Sequence, residues 1–351
     1  MPHSRKTRGF AELVNSPARV SDLDDESGTP RPFRRHPGRA MTTDPIRWET
    51  VPCPLCRAPV DREFLRADGD DGVEYRLGEC VGCGMVYTNP RPDAASIGRF
   101  YPADYSPYQP PTRRRAGPWR ALRARLGLRR EKTLADRIPV RAGAVLMDYG
   151  CGSGWYAAQM RDRGWKAVGM DFSPHAAAAA RTNFGLDVIH GTLPHPAVKP
   201  GSLDVVTLRA VLEHVHDPRQ LLGAVHDALR PGGWVYASVP NLSSWGYRAF
   251  GKAWFPLDPP RHLLHFTPAT LRRAAEESGF AVEAMTTIGH TKWTRYSVER
   301  AAKTQPAWWV SLCKMHFIRS AVTRWTQWAG RADDLALLAR KPESAAVRRA
   351  A

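Results

Sequence analysis

Short apolar stretches alternate with helical stretches from residue 143 to residue 342, and this alternation restricts the fold more than any other feature of the chain. Seven stretches have the composition of buried strands, namely AVLMDYG, KAVGMDF, DVIHG, LDVVTLRA, WVYASVP, AVEAMTTIG and DLALLARK. Strands that are separated by helices pair mostly in parallel, and the helices cover both faces of the sheet. We therefore predict an α/β domain over residues 143–342.

The turn after the first predicted strand, in VLMDYGCGSGWYA, contains Gly150, Gly152 and Gly154. A dinucleotide-binding loop of the G-x-G-x-x-G type would need its third glycine at position 155, which is a tryptophan here. Asp148 would repel a pyrophosphate, but it suits a ligand with a cationic group. S-adenosylmethionine has an ammonium and a sulfonium and no phosphate, so the loop favours this cofactor. Glycines let the backbone approach the ligand closely, and a side chain at position 152 is expected to project toward it.

Asp171 ends the second predicted strand, where an acidic residue binds the ribose hydroxyls in nucleotide-binding α/β folds. Beyond the fourth strand, LRAVLEHVHD contains Glu213 and His214, and the proline-rich PPRHLLHF contains His262 and His265. Ligands of this fold bind at the carboxyl ends of the strands, so these four residues are the candidates for removing a proton from an acceptor. The alternative is structural: Glu213 and His214 would cap a helix, and the two later histidines would shape their loop.

These segments resemble the class I S-adenosylmethionine-dependent methyltransferases. VLMDYGCGSG is similar to their first motif, VGMDFS to their second, SLDVVTLRAVLEHVHDP to their fourth strand with its turn, and LRPGGWVYASVPN to their fifth-strand motif. The resemblance covers about residues 140–342. It implies a Rossmann-like, seven-stranded sheet in the order 3-2-1-4-5-7-6, with the seventh strand antiparallel. PPRHLLHFTPATL and ECVGCGMVYTNPRP narrow it to a bacterial subgroup with an N-terminal zinc-ribbon-like module.

Two positions depart from the patterns of related enzymes. Many relatives have an acidic residue after the third strand that holds the adenine amine, whereas this chain has Gly191 and Thr192 there, so Thr192 or a backbone group must substitute. Ubiquinone-pathway O-methyltransferases and small-RNA 2′-O-methyltransferases carry E-x-x-E-H for a divalent ion, but the first position is Ala210 here, which weakens such a site. The cofactor site is predicted to consist of Asp148, Tyr149, Gly150, Cys151, Gly152, Gly154, Asp171, Phe172, Thr192, Leu193 and Arg209.

Four of the six cysteines form two C-x-x-C pairs, Cys53 with Cys56 and Cys80 with Cys83. Two such pairs present four thiolates to one tetrahedral ion, so we predict a structural Zn²⁺. The alternative is a relic module that binds no metal. Because a unit of this size lacks a core of its own, we expect the metal to stabilise the module. This structural role is favoured over nucleic-acid binding by the module.

The chain divides by composition into a disordered segment at 1–47, the cysteine module at 48–92, a basic helical linker at 93–142 and a tail at 343–351. The formal net charge is +17, and residues 113–141 contain eleven cations against two acids. This charge fits an anionic partner or, alternatively, the codon bias of a GC-rich genome. MPHSRKTRGF is not followed by an apolar region, and no apolar run is long enough to cross a membrane, so we expect a cytoplasmic protein.

An aromatic-rich and basic stretch, QPAWWVSLCKMHFIRSAVTRWTQWAG, forms an insertion at residues 305–330. Three interpretations are open: its apolar stripe packs on the core or on the basic linker, it contacts an anionic membrane surface, or, less favoured, it binds nucleic acid. The predicted function is methyl transfer to a small-molecule, sugar or lipid-linked acceptor. The alternatives are an RNA methyltransferase and a non-catalytic binding protein that keeps the fold as a scaffold.

Overall fold

The computed structural model describes residues 45–102, 105–109, 137–139, 141, 143–304 and 307–343. The predicted disordered segment therefore lies outside the described residues except at its last three positions. The same holds for most of the predicted basic linker and for all of the predicted tail beyond its first residue. Five strands belong to the N-terminal part: β1 (Trp48–Glu49), β2 (Asp61–Asp68), β3 (Glu74–Cys80), β4 (Val86–Thr88) and β5 (Arg91–Pro92).

A seven-stranded sheet forms the centre of the α/β domain. Its strands are β6 (Val145–Tyr149), β7 (Lys166–Asp171), β8 (Asp187–His190), β9 (Leu203–Arg209), β10 (Leu229–Pro240), β12 (Ala281–Ile288) and β13 (Asp334–Arg340), while β11 (Leu264–His265) joins another sheet. The strands lie in the order β8-β7-β6-β9-β10-β13-β12. Neighbours from β8 to β10 pair in parallel, and β13 is antiparallel to both β10 and β12. The predicted strand order 3-2-1-4-5-7-6 is thus confirmed.

Eight α-helices are present in the described residues: α1 (Trp155–Asp162), α2 (Pro174–Phe184), α3 (Pro218–Ala228), α4 (Trp245–Phe250), α5 (Pro268–Glu277), α6 (Thr291–Thr304), α7 (Trp308–Leu312) and α8 (His316–Trp328). Three of them begin with the same local device. Ser173, Asp217 and Thr267 each accept a hydrogen bond from the first turn of α2, α3 and α5, and a proline follows each of them. This cap satisfies a free N–H group, and proline fits the first helical position because it needs no partner there.

The cysteine module at residues 48–92 shares a sheet with the α/β domain. Strands β2, β3 and β4 form an antiparallel sheet whose fourth member is β11, with Leu264 opposite Tyr87 and His265 opposite Val86. One apolar core also contains side chains from both parts, including Leu55 and Met85 of the module. The proline-rich stretch that supplies β11 is therefore held by the module as well as by its own domain.

Candidate functional site

The glycine loop, Gly150–Gly154, forms a tight turn between β6 and α1. The N–H groups of Gly150 and Cys151 both donate to the Met170 carbonyl at the end of β7, at 2.7 and 3.1 Å. Gly150, Gly152 and Gly154 have φ angles of 73°, 51° and 81°, a region that disfavours residues with a Cβ. The loop thus needs glycine at these positions for its backbone conformation.

Neighbouring chain segments also lie close to this loop and leave no space for a Cβ. A Cβ at Gly150 would lie 2.6 Å from Cγ2 of Val211, and a Cβ at Gly152 would lie 2.7 Å from the Pro107 carbonyl oxygen. The same carbonyl accepts a hydrogen bond from the Ser153 N–H at 3.0 Å. A side chain at position 152 would therefore first meet the 105–109 segment, and the expectation that it would also point toward the ligand stays a prediction. The bare backbone forms a cradle that only glycine permits.

Two buried carboxyl groups flank the cradle. The oxygens of Asp171 accept hydrogen bonds from the N–H groups of Gly152 and Ser173, each at 2.9 Å. Asp148 accepts a hydrogen bond from the Thr207 hydroxyl at 2.7 Å. Burial raises the pKa of Asp171, and it raises the pKa of Asp148 to about 6. A cationic ligand group nearby would favour the ionised form of both carboxyls.

The other predicted cofactor residues lie around this edge of the sheet but differ in environment. The side chains of Tyr149, Cys151 and Leu193 are buried, whereas Phe172 is 47% exposed. The Gly191 N–H donates to the Asp171 carbonyl at 2.9 Å, which places the exposed Thr192 next to the end of β7. The Arg209 guanidinium lies 4.2 Å from the centre of the Tyr156 ring.

A short 3₁₀ turn, Leu212–His214, follows β9 and brings Glu213 and His214 against the proline-rich loop. Nδ1 of His214 lies 2.8 Å from the Tyr101 hydroxyl and 3.0 Å from the Arg261 carbonyl. Nδ1 of His262 lies 2.8 Å from the Pro256 carbonyl. The two imidazole rings meet edge to face with their centroids 4.6 Å apart. We refer to His214 and His262 as the histidine pair.

The contacts of the histidine pair define its protonation. A carbonyl oxygen only accepts, so Nδ1 of each ring carries the hydrogen and Nε2 of each ring keeps a free lone pair. Burial lowers the pKa of His214 to about 3 and that of His262 to about 4. Both rings are therefore neutral at pH 7.

Glu213 lies beside the histidine pair and is buried. Neither of its carboxylate oxygens has a hydrogen-bond partner among the described residues, and burial raises its pKa well above the usual value. A carboxylate oxygen of Glu213 and a ring nitrogen from each histidine lie within 4.8 Å of one another. The group thus combines a carboxyl whose burial favours its protonated form with two imidazoles, and it also has the donor atoms that a divalent cation requires.

The four paired cysteines meet at the base of β2 and β3. The sulfur atoms of Cys53 and Cys83 are 3.5 Å apart, those of Cys56 and Cys80 are 3.4 Å apart, and all four lie within 4.8 Å of one another. A tetrahedral zinc with Zn–S bonds of about 2.3 Å requires sulfurs about 3.8 Å apart, so the spacing fits this ion.

The two cysteine turns have the same backbone structure. The N–H of Cys53 donates to the Ala58 carbonyl, and the N–H of Arg57 donates back to the Cys53 carbonyl. The second turn repeats both bonds with Cys80, Met85 and Gly84 in the corresponding positions. Arg57 and Gly84, which occupy the same place in the two turns, both have positive φ angles, 65° and 72°. Such paired turns orient two sulfurs each toward one point.

Comparison with known proteins agrees with the geometry. A family model described as a methyltransferase domain matches residues 112–285. A ubiquinone biosynthesis O-methyltransferase of Thiobacillus denitrificans is 32% identical over 171 residues, which are 45% of this chain and 73% of that protein. The chain belongs to the class I S-adenosylmethionine-dependent methyltransferases. Its cofactor is S-adenosylmethionine, and the glycine cradle with its two acidic neighbours fits this molecule.

Further relatives of this methyltransferase carry similar names. A probable S-adenosylmethionine-dependent methyltransferase of Mycolicibacterium smegmatis is 30% identical over 164 residues, which are 46% of this chain and 62% of that protein. Among solved structures, a methyltransferase of Mesorhizobium loti aligns with a TM-score of 0.41 and 22% identity, over 64% of this chain and 98% of that chain.

Sequence reasoning missed two residues that contact the candidate site. Tyr101 contacts both His214 and the ring of Phe172, whose centroid is 5.5 Å away. Arg261 contacts His214 through its carbonyl and pairs through its side chain with Asp258 and with Asp70 of the cysteine module. No local motif marks either residue, because each is defined by contacts with distant parts of the chain.

His265 differs from the other sequence candidates in its position. It is buried on β11, and its Nε2 has no hydrogen-bond partner among the described residues. Its ring does not belong to the group of donors formed by Glu213 and the histidine pair. Its neighbours are the strands of the module, which favours a packing role.

Proposed function

We propose that this methyltransferase acts on a small-molecule, sugar or lipid-linked acceptor and that the histidine pair takes up the proton which the acceptor atom loses. Bound S-adenosylmethionine would supply a sulfonium methyl group for in-line displacement, so the protein needs only to align the nucleophile and receive its proton. The observation that carries the proposal is the pair of neutral imidazoles with free Nε2 atoms at the carboxyl end of β9.

The position of the histidine pair relative to the cofactor cradle supports this role. Val211 immediately precedes the turn that carries His214, and its side chain is the group that a Cβ at Gly150 would strike. The turn that carries His214 therefore lies next to the glycine loop, and the Val211 side chain lies between them. Ligands of open α/β sheets bind at this end of the strands.

Aromatic side chains favour an acceptor with apolar or ring-shaped parts. Tyr101 meets Tyr105 edge to face at 5.2 Å and Phe172 at 5.5 Å, and it lies directly against His214. The names of several relatives, which describe ubiquinone biosynthesis O-methyltransferases, agree with a small-molecule acceptor. A hydroxyl fits best, because a neutral imidazole can accept the proton that a hydroxyl loses as it is methylated.

Substituting each member of the histidine pair tests the role. His214→Ala and His262→Ala are expected to lower turnover by about 10²- to 10⁴-fold, the usual contribution of general base catalysis, with cofactor affinity unchanged. Tritium transfer from labelled cofactor into lipid, RNA and small-molecule fractions of a cell extract measures turnover and identifies the acceptor class. His175→Ala, on the exposed side of α2, is the matched control.

Three results would contradict the proposal. Full activity in both variants would show that the acceptor needs no base from this pair. Turnover that a chelator abolished and Mg²⁺ restored would instead assign Glu213 and the histidine pair to a divalent cation. Label that accumulated in the RNA fraction would replace the small-molecule acceptor by an RNA.

We also propose that Cys53, Cys56, Cys80 and Cys83 bind one structural Zn²⁺. Support comes from the sulfur spacing and from the matched hydrogen bonds of the two turns. A sheet of three short strands and one borrowed strand has a small core, and a metal stabilises such modules. Metal analysis of protein purified without chelator should find one zinc per chain, and well-folded protein without stoichiometric zinc would exclude the site.

A further inference from the structure

Helices α7 and α8 expose apolar side chains to a degree that no other described part of the chain matches. Of the eleven large apolar side chains that are exposed, six lie between residues 308 and 328: Trp308, Leu312, Met315, Phe317, Trp325 and Trp328. Trp308 is 76% exposed and Trp328 is 86% exposed. A concentration of this kind on one surface marks an interaction site, whereas scattered apolar side chains do not. We call this set the Trp surface.

Helix α8 has its polar side turned toward the protein. Its buried residues are Arg319, Thr323 and Thr326. The Arg319 guanidinium donates to the Cys313 carbonyl at 3.1 Å, and the Thr326 hydroxyl donates to the Thr323 carbonyl at 2.9 Å. These bonds pair part of the inward polar groups, whereas Nε of Arg319 and the Thr323 hydroxyl are buried with no hydrogen-bond partner among the described residues. Phe317 and Trp328 of α8 therefore do not pack on the core, although Ile318 does and the Trp325 ring meets Trp245 edge to face. Packing of the stripe on the basic linker stays a prediction, because most of that linker lies outside the described residues.

The charge of the Trp surface points to an anionic partner. Residues 307–331 include no aspartate or glutamate, and Lys314, Arg324 and Arg331 are exposed among them. We propose that the Trp surface lies on an anionic lipid bilayer, with α7 and α8 in the plane of the interface. Tryptophan settles at the headgroup level, and basic side chains beside it attract anionic lipid.

The lengths of the two helices agree with an in-plane arrangement. Helix α7 has 5 residues and α8 has 13, whereas about 20 residues are needed to cross the hydrocarbon core. No helix in the described part of the chain is long and apolar enough to span a bilayer. A second copy of the chain fits the Trp surface less well, because two such surfaces would bring cations together with no acidic residue to oppose them.

Vesicle co-sedimentation of the full chain tests the proposal. Vesicles of phosphatidylcholine mixed with phosphatidylglycerol should bind the wild type. The variant Trp308→Ser/Phe317→Ser/Trp328→Ser should bind at least about tenfold more weakly. The matched control is Val60→Ser/Val73→Ser/Val81→Ser, which removes three exposed apolar side chains of the cysteine module and should bind as the wild type does. Cofactor affinity and thermal unfolding, which should be unchanged in all three proteins, check the fold.

A charge variant separates the electrostatic contribution from the apolar one. Lys314→Glu/Arg324→Glu should lose at least about fivefold in binding per cation on the anionic vesicles, because one cation near such a surface contributes about that factor. Its binding to vesicles of phosphatidylcholine alone should match that of the wild type. Trp328→Ser alone, at the most exposed position, replaces the triple variant if the latter fails to fold.

Several results would overturn the proposal. Wild-type protein that binds neither kind of vesicle would do so, as would triple-serine protein that binds as tightly as the wild type. Sedimentation equilibrium that finds a wild-type dimer which the triple variant dissociates would assign the Trp surface to a second copy. Binding to RNA that depends on the same three aromatic residues, and falls log-linearly with salt, would assign the surface to nucleic acid.

Discussion

The cofactor half and the proposed acceptor half of the candidate active site are built in different ways. The cofactor half, from β6 to the end of β7, is local: its glycine loop and its two carboxyls lie within residues 145–171, and backbone groups form most of it. The acceptor half joins Tyr101 to His214 across 113 positions of sequence and His214 to Arg261 across 47. The cofactor half can therefore be recognised from a motif, whereas the acceptor half depends on how distant segments pack.

The cysteine module belongs to the acceptor half. Thr88 donates through its hydroxyl to the His262 carbonyl and through its N–H to the Leu263 carbonyl, each at 2.9 Å. The Leu263 N–H in turn donates to the Glu213 carbonyl at 2.7 Å. One chain of hydrogen bonds thus runs from β4 of the module through the proline-rich loop to the turn that carries His214. The cofactor half has no such link to the cysteine turns among the bonds described.

Substitution of one of the four paired cysteines should give the largest difference between the effect on turnover and the effect on cofactor affinity. Cys80→Ser removes one of the four proposed zinc ligands and is expected to abolish zinc binding and disorder the module, because structural zinc contributes most of the stability of such units. Turnover should fall by about 10²-fold or more, as it does when a catalytic group is misplaced, while cofactor affinity stays within about threefold. Zinc content, turnover and calorimetric titration with cofactor measure this.

Cys313→Ser provides the control, because Cys313 is a buried cysteine that lies outside the group of four. It should keep its zinc and its turnover. Equal losses of turnover and cofactor affinity in Cys80→Ser would show that the module supports the whole domain and that the two halves are not separable.

The same division explains what the sequence could reveal. Strand order, the glycine loop and the two cysteine turns were predictable because each depends on a short pattern with a fixed backbone consequence. The roles of Tyr101 and Arg261 were not predictable, because the local sequences FYPADY and PPRHLLHF do not indicate which distant side chains these residues contact. Helix α8 illustrates a further limit: its amphipathic pattern defines two faces, but periodicity does not say which face turns inward, and here the polar one does.

Asp171→Ala should produce the second largest effect, confined to the cofactor half. A charge-assisted hydrogen bond contributes about 1.5–3 kcal/mol, so cofactor affinity should fall about 10- to 150-fold. Calorimetric titration measures the change, and thermal unfolding reports the stability lost when the N–H groups of Gly152 and Ser173 lose their acceptor. Asp187→Ala, at the exposed start of the adjacent strand β8, should leave affinity unaltered. An affinity equal to that of the wild type would reject the assigned binding mode.

A smaller effect is expected from Asp70→Asn, which acts on the acceptor half from within the module. Asp70 pairs with Arg261 at 2.9 Å and with Arg300 at 2.7 Å, and it is partly exposed. Arg261 keeps its pair with Asp258, so the loss should be about 1 kcal/mol, or about fivefold in turnover. Cofactor affinity should not change, and Asp70→Glu should restore part of the loss.

Asp68→Asn, at the exposed end of β2, is the control for Asp70. It should behave as the wild type in both measurements. A fall in cofactor affinity in Asp70→Asn, without a fall in turnover, would mean that the module acts on the cofactor half. It would contradict the assignment of the module to the acceptor half.

The pH dependence of kcat/KM should show the smallest change and reports the state of the histidine pair directly. A base works in its unprotonated form, so activity is lost as pH falls through its pKa. A histidine with an ordinary pKa near 6.5 would lose about tenfold between pH 8 and pH 5.5. Burial lowers the pKa of His214 to about 3 and that of His262 to about 4, so both rings stay neutral over this range. We therefore expect kcat/KM to change by less than about twofold.

Glu213→Gln makes the pH experiment specific to the acceptor half. Burial raises the pKa of Glu213 and so favours the protonated carboxyl, which an amide of the same shape resembles, so this variant should preserve both the activity and the flat profile. An acidic limb near pH 6.5 in the wild type would show that the histidine pair is open to water before the acceptor binds. A large loss of activity in Glu213→Gln would show that the carboxylate is needed in its charged form. Ionisation of Glu213 beside two neutral imidazoles would be unfavourable. It would require a positive charge nearby, either a protonated histidine or a bound cation.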